Sequence, residues 1–191
     1  DRELEVKDMD PQHVERSFRG PLHAATQDLH HYIEHETIMG YALVHGAPSL
    51  EQYAHWLRMK MDFFLPIDGI LPPTSRRSGL YREDLNRTGF ALERHPAAAQ
   101  HAGWIGDPNI DEIERERRKS GTAYVCAGSV FGAAVIRKRV QSISPEWPVE
   151  SLNFVDKHHE IPFMEQLRQR SDCIMQARRA FAAMAKVCQD A

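Results

Sequence analysis

A metal-ligating imidazole is held best when the ring nitrogen that is not bound to the metal donates to a fixed acceptor. His30 with Glu34 four residues later offers that pairing in this 191-residue chain. The stretch Leu22 to Glu34 reads Leu-His-Ala-Ala-Thr-Gln-Asp-Leu-His-His-Tyr-Ile-Glu. At 3.6 residues per turn, Leu22, Ala25, Leu29 and Ile33 form one apolar stripe, which predicts a helix. His30 lies at the edge of that stripe, with Thr26 one turn before it and Glu34 one turn after. His23 and Gln27 extend the same polar border. The chemistry such an edge supports is ligation of one metal by His30. The same spacing also suits a plain solvated helix pair, so a second wall is needed to make a site.

That wall is expected at Tyr124 to Arg139, Tyr-Val-Cys-Ala-Gly-Ser-Val-Phe-Gly-Ala-Ala-Val-Ile-Arg-Lys-Arg. The pattern is helical, yet Gly128 and Gly132 lie inside it, one turn apart on one face. Each interior glycine costs about 0.5–1 kcal/mol against alanine. Two explanations stand side by side. One is close packing of a neighbouring helix; the other is a flat ligand that needs bare backbone as its wall, over which the helix bends. Ser129 adds a hydroxyl there, able to hold a water or donate to a ligand.

The elements that must position these residues are helical. Hydrophobic residues make up 42% and charged residues 27% of the chain, a globular composition for one domain. With 24 Lys and Arg against 27 Asp and Glu, the net charge of −3 gives no reason to expect nucleic acid or an anionic membrane. The apolar runs are too short to span a bilayer. The opening residues do not read as a basic and apolar leader, and the three cysteines, Cys126, Cys173 and Cys188, make neither a disulfide framework nor a zinc pattern; a cytoplasmic setting is the expectation.

Residues 1–16, charged and aperiodic, read as an extension, and 17–191 as the domain. Ile38 to Val44 reads as a short helix, and Ser49-Leu-Glu-Gln52 as a capping box. The helix it opens places Leu50, Tyr53, Ala54, Leu57, Met61, Phe64 and Leu65 on one face. Thr74 to Ser78 reads as a basic polar loop, Asp84 to His95 as a helix stopped by Pro96, and Ala97 to Asn109 as irregular. Asp111 onward, acidic first and basic last, suits a helix running through Gly121. Ser144 to Pro148 reads as a turn, and Ile161 to Gln189 as one last long helix. No stretch alternates long enough for a strand. The fold class is all-α.

The motif Leu22-x-x-Ala25-Thr26-x-x-Leu29-His30-x-x-x-Glu34 resembles the proximal helix of heme oxygenases. Tyr124-Val125-x-x-Gly128-Ser129-x-x-Gly132 is similar to their distal helix, closest to the bacterial enzymes that supply biliverdin to bacteriophytochromes. Ser49 to Tyr53, leading into Phe63-Phe64-x-Pro66, resembles their second long helix. The resemblance covers roughly residues 17–190. It implies a multi-helix bundle with heme between a proximal and a kinked distal helix. It implies His30 as the iron ligand, Glu34 as the acid orienting it, and Gly128, Ser129 and Gly132 as the distal wall. Thr26, His23 and Tyr124 fall at the heme-binding face. The implied reaction is O2-dependent cleavage of heme, both substrate and cofactor, to biliverdin, CO and ferrous iron. Electrons come from a separate reductase or ferredoxin, and a bacteriophytochrome is a possible recipient of biliverdin.

The chain departs from the bacterial pattern at Cys126-Ala127, where a Glu commonly precedes Gly-Ser, and at His23 and Gln27, where basic residues grip the heme propionates. Arg168 and Arg170 resemble the basic end of the family's C-terminal segment and are expected to take over that grip. Three rival readings remain: a heme-binding or heme-sensing protein without turnover, a non-heme iron oxygenase drawing on His30, Glu34 and His158-His159-Glu160, and a plain helical bundle whose glycines only help packing.

Overall fold

Local capping chemistry sets where the helices begin. In the computed structural model, which describes residues 20–153 and 157–191, α1 spans Pro21–Glu36 and opens on a proline whose missing N–H costs nothing there. The expected extension, residues 1–16, lies outside the described residues. Thr37 then turns extended, at φ −85° and ψ 152°, and caps α2, Ile38–Val44, by accepting from the Gly40 amide at 3.1 Å. Its hydroxyl donates back to the Ile33 carbonyl at 2.6 Å. Gly40 sits in this corner, where a Cβ would lie 1.8 Å from the Ile33 oxygen. Only glycine fits.

Helix α3, Leu50–Phe64, starts with the expected capping box: Ser49 Oγ accepts from the Gln52 amide at 3.1 Å and Gln52 Oε1 from the Ser49 amide at 3.0 Å. Its expected stripe is buried from Tyr53 to Phe64, but Leu65 falls just past the helix end and is exposed. Trp56, Met59, Lys60, Asp62 and Phe63 are buried as well, so neighbours surround this helix. Tyr53 stacks on Trp147 at 5.8 Å and donates to the Pro148 carbonyl at 2.7 Å, anchoring the turn after Ser144. Buried Asp62 accepts from Arg58 at 3.0 Å and Arg94 at 3.1 Å.

Three expectations fail between residues 74 and 109: the polar loop to Ser78, the helix Asp84 to His95, and the irregular stretch from Ala97. Arg77 is buried, donating to the carbonyls of Ser151 and Asn153, and Ser78 already starts α4, Ser78–Thr88. That helix ends at Gly89, whose φ of 80° is the left-handed stop that glycine supplies. Pro96, read as a stop, instead opens α5, Pro96–Ile105, with the His95 ring capping the Ala97 amide.

Helix α6, Glu112–Ile143, is capped by Asp111 and runs unbroken through Gly121, Gly128 and Gly132. The expected single C-terminal helix is two, α7, Lys157–Arg168, and α8, Ile174–Asp190. The break between them is where Arg170 joins Glu116 of α6 and Asp172 in ion pairs. Every regular element among the described residues is helical, so the all-α expectation holds at that level. Among those residues no helix is long and apolar enough to cross a membrane.

Helix α8 packs against both α1 and α6. It comes close to α6 at Gly121, where a Cβ would meet the Ala177 amide nitrogen at 2.6 Å. Gly121→Ala is therefore expected to cost about 1–3 kcal/mol by forced separation. Gly40→Ala should cost at least as much, and urea unfolding of both variants checks this.

His101 supplies a pH dependence. It is stacked on Phe63 at 5.0 Å and buried, and Nε2 lies 3.0 Å from Thr122 Oγ1. The Thr122 hydroxyl already donates to the Arg118 carbonyl, so the ring donates to Thr122 and is neutral. Burial pushes its pKa down to about 4 from 6.5, with Arg179 adding to the effect. The unfolded chain takes the proton first, so this contribution is intact above pH 6.5 and is lost as pH falls toward 4, roughly 3 kcal/mol in all. His101→Phe should flatten acid destabilisation across that window; an unchanged pH profile would contradict the assignment.

Candidate functional site

A cavity of about 810 Å³ opens between α1 and α6, with α2, α3 and α8 closing its inner side. Thr26 and His30 of α1 face it, as do Gly128, Ser129 and Gly132 of α6. The inner wall comprises Leu43, Trp56, Met59, Met184 and Cys188, each at most 5% exposed. Gln27 and Val135 stand at the exposed rim. A mostly apolar slot of this size with few polar groups has the form of a ligand site.

His30 projects from the third turn of α1, its ring edge-on to Phe181 at a centroid distance of 6.0 Å. Nε2 lies 3.5 Å from Glu34 Oε1, longer than an ordinary hydrogen bond. The side chain keeps 55% of its surface accessible through the open cavity, yet the surrounding atoms penalise the imidazolium. That burial pushes the His30 pKa below 6.5, with Glu34 pulling the other way. A neutral imidazole, the form that ligates metal, is favoured. Cys188 also lines the cavity, but burial pushes its thiol up to about 12, and it packs as a small apolar group.

On the opposite wall, Gly128 and Gly132 settle a choice that spacing leaves open. A Cβ at either position would meet nothing within 4 Å. Close helix packing, the first explanation for these glycines, therefore belongs to Gly121 instead. Ser129 donates to the Cys126 carbonyl at 2.5 Å, so its proton is committed and its lone pairs remain to accept. The expectation that Ser129 donates to a ligand does not hold in this arrangement. Tyr124 is buried beside Thr26; burial raises the phenol pKa and Thr26 partly offsets the shift. Thr26 donates to the Leu22 carbonyl at 2.6 Å.

The fold thus brings His23, Thr26, His30, Glu34, Tyr124, Gly128, Ser129 and Gly132 together around one cavity. Arg168 and Arg170 are not part of that lining. The Arg170 guanidinium is held by Glu116 and Asp172, and Arg168 Nη2 lies 3.6 Å from Glu165. Glu160 also sits elsewhere, accepting from Ser75 Oγ at 2.6 Å, while the His158 side chain lies outside the described residues. Among the described residues no three of His, Cys, Asp and Glu converge as a metal site. Sequence reasoning missed Phe181, Met59 and Lys60. Lys60, the one Lys or Arg among the described lining residues, is 3% exposed.

No protein-family model matches the chain, and no curated protein matches it at a significant level.

Gly128→Ala and Gly132→Ala are expected to hold or raise stability by about 0.5–1 kcal/mol, the helical gain of alanine unopposed by any clash. A loss above about 1 kcal/mol in urea unfolding would restore the packing explanation.

Proposed function

We propose that the cavity binds heme and that the protein is a heme oxygenase. The observation that carries this reading is the pairing of His30 on one wall with the uncovered backbone of Gly128 and Gly132 on the other. The lining fits the group in three respects: one imidazole donor, apolar inner walls and a backbone surface that a flat ring can approach. His30 would hold the iron. Glu34, on the Nε2 side of the ring, biases the proton toward that nitrogen and leaves the other lone pair for ligation. When bound, heme supplies the O2-binding iron and is itself the substrate, opened to biliverdin, CO and ferrous iron with electrons from an external reductase or ferredoxin.

The chain's own contributions to this reaction are positioning and exclusion. The missing side chains at Gly128 and Gly132 leave space on the face opposite His30. The α6 residues that line the cavity include no carboxylate, histidine or cation; Tyr124, raised by burial, stays neutral. Ser129 offers acceptor lone pairs to a water or a ligand hydrogen. Ala127, where the bacterial pattern carries an acid, is 7% exposed and is not part of the lining, so this departure falls in the core. It gives the binder-without-turnover alternative no structural support.

Titration with hemin is expected to give a saturable Soret band that weakens at least tenfold in affinity for His30→Ala. Reductant and air should then convert bound heme to biliverdin; a band that persists would mean a heme binder without turnover. Gly132→Phe should keep the fold by circular dichroism and lose hemin binding. Because the His30 pKa is depressed, hemin affinity should stay level as pH falls to 6.5 and decline only below it, where protons compete for the ligating nitrogen. No saturable Soret band would end the heme reading.

A further inference from the structure

A lysine ammonium buried in an apolar wall is costly unless an anion accompanies it. Lys60 sits in the inner part of the cavity and makes no hydrogen bond or ion pair with any described residue. Its Nζ lies 5.3 Å from the Trp56 ring centroid, a cation–π contact that offsets part of the cost. Burial pushes its pKa down to about 8, with the nearby thiols of Cys126 and Cys188 opposing and Arg77 reinforcing the shift. Those thiols are themselves raised to about 12, so neither offers a negative charge. Glu34 is the one carboxylate in the lining, and it stands by His30. The cations expected to grip an acidic ligand, Arg168 and Arg170, are not among the lining residues.

We infer that Lys60 is the acid-recognising group of the cavity: it takes a carboxylate of the ligand into the interior, not at the rim. This rests on the heme reading above, under which the partner is a propionate of the porphyrin. The inference fixes more than affinity. A propionate drawn inward to Lys60 would select one rotation of the ring within the slot, and so which edge of the macrocycle lies deepest in it. A ligand without an acidic group would leave the ammonium buried and unpaired, so Lys60 also selects against neutral porphyrins.

The test compares hemin with hemin dimethyl ester, each titrated by its Soret band into the wild-type protein and Lys60→Met. Methionine keeps most of the length of the side chain and removes the charge, so folding is expected to be retained. The wild-type comparison needs no variant at all. Expected is a preference of wild type for hemin over the diester of about ten- to a hundredfold, the range of a charge-assisted hydrogen bond. Lys60→Met should lose most of that preference by weakening hemin and leaving the diester unchanged or tighter. A merely structural role would weaken both ligands equally and would overturn the inference. Equal wild-type affinity for both, with a normal His30-dependent Soret band, would overturn it while leaving the heme reading intact. Absence of any Soret band with hemin would overturn both together.

Discussion

The close crossing of α6 and α8 at Gly121 is the constraint on which the rest depends. The Ala177 backbone occupies the place where a side chain would stand, which fixes α8 against α6 at that point. Helix α8 also carries α1, so the separation of the two cavity walls is set from one shared support. Seven and eleven residues after Gly121, Gly128 and Gly132 return to the same helical face. There nothing approaches within 4 Å, and the face that was in contact becomes the wall of a slot. One stripe of glycines thus does two opposite things along a single helix. Contact at one end positions the walls, and vacancy at the other makes room for a ligand.

The placement of charge follows the same division between support and site. Asp62, Asp84 and Arg77 are buried, but each is matched by hydrogen bonds or ion pairs that tie loops to α3 and α4. Arg170 fastens the segment between α7 and α8 to α6. Their partners lie within the chain, with Arg77 Nε and Asp84 Oδ1 the atoms left without a hydrogen bond. Around the cavity the polar groups are of another kind: His30, half accessible, with Glu34 beside it, and the ammonium of Lys60 in the interior. The half-accessible imidazole and the buried ammonium share one cavity, and that juxtaposition locates the chemistry.

Much of this was legible in the sequence because it depends on short-range periodicity. The stripe through Leu22 and Ile33, the Ser49–Gln52 capping box, and the glycine pair all concern residues within a turn or two of each other. Where expectation failed, the deciding feature was a single residue with two meanings. Pro96 can stop one helix but equally starts another, and Gly89 ends α4 seven residues before that proline. The split between α7 and α8 rests on Arg170 meeting Glu116, a partner 54 positions away that no local pattern can reveal. That Arg170 is held by Glu116 and Asp172, and that Arg168 stands outside the cavity lining, are likewise tertiary facts. Lys60 did leave a signal. Seven residues after Tyr53 and four before Phe64, it falls inside the apolar stripe of α3, where a charge has no solvent to reach.

The account stands or falls on where iron sits relative to the two walls. The most direct measurement is the anomalous diffraction of iron in crystals of the hemin-loaded protein. The account predicts one iron peak at the His30 ring, with the flat density of the porphyrin lying between α1 and the Gly128–Gly132 backbone of α6. Iron bound away from His30, or a porphyrin resting on the outer surface with the slot empty, would contradict it.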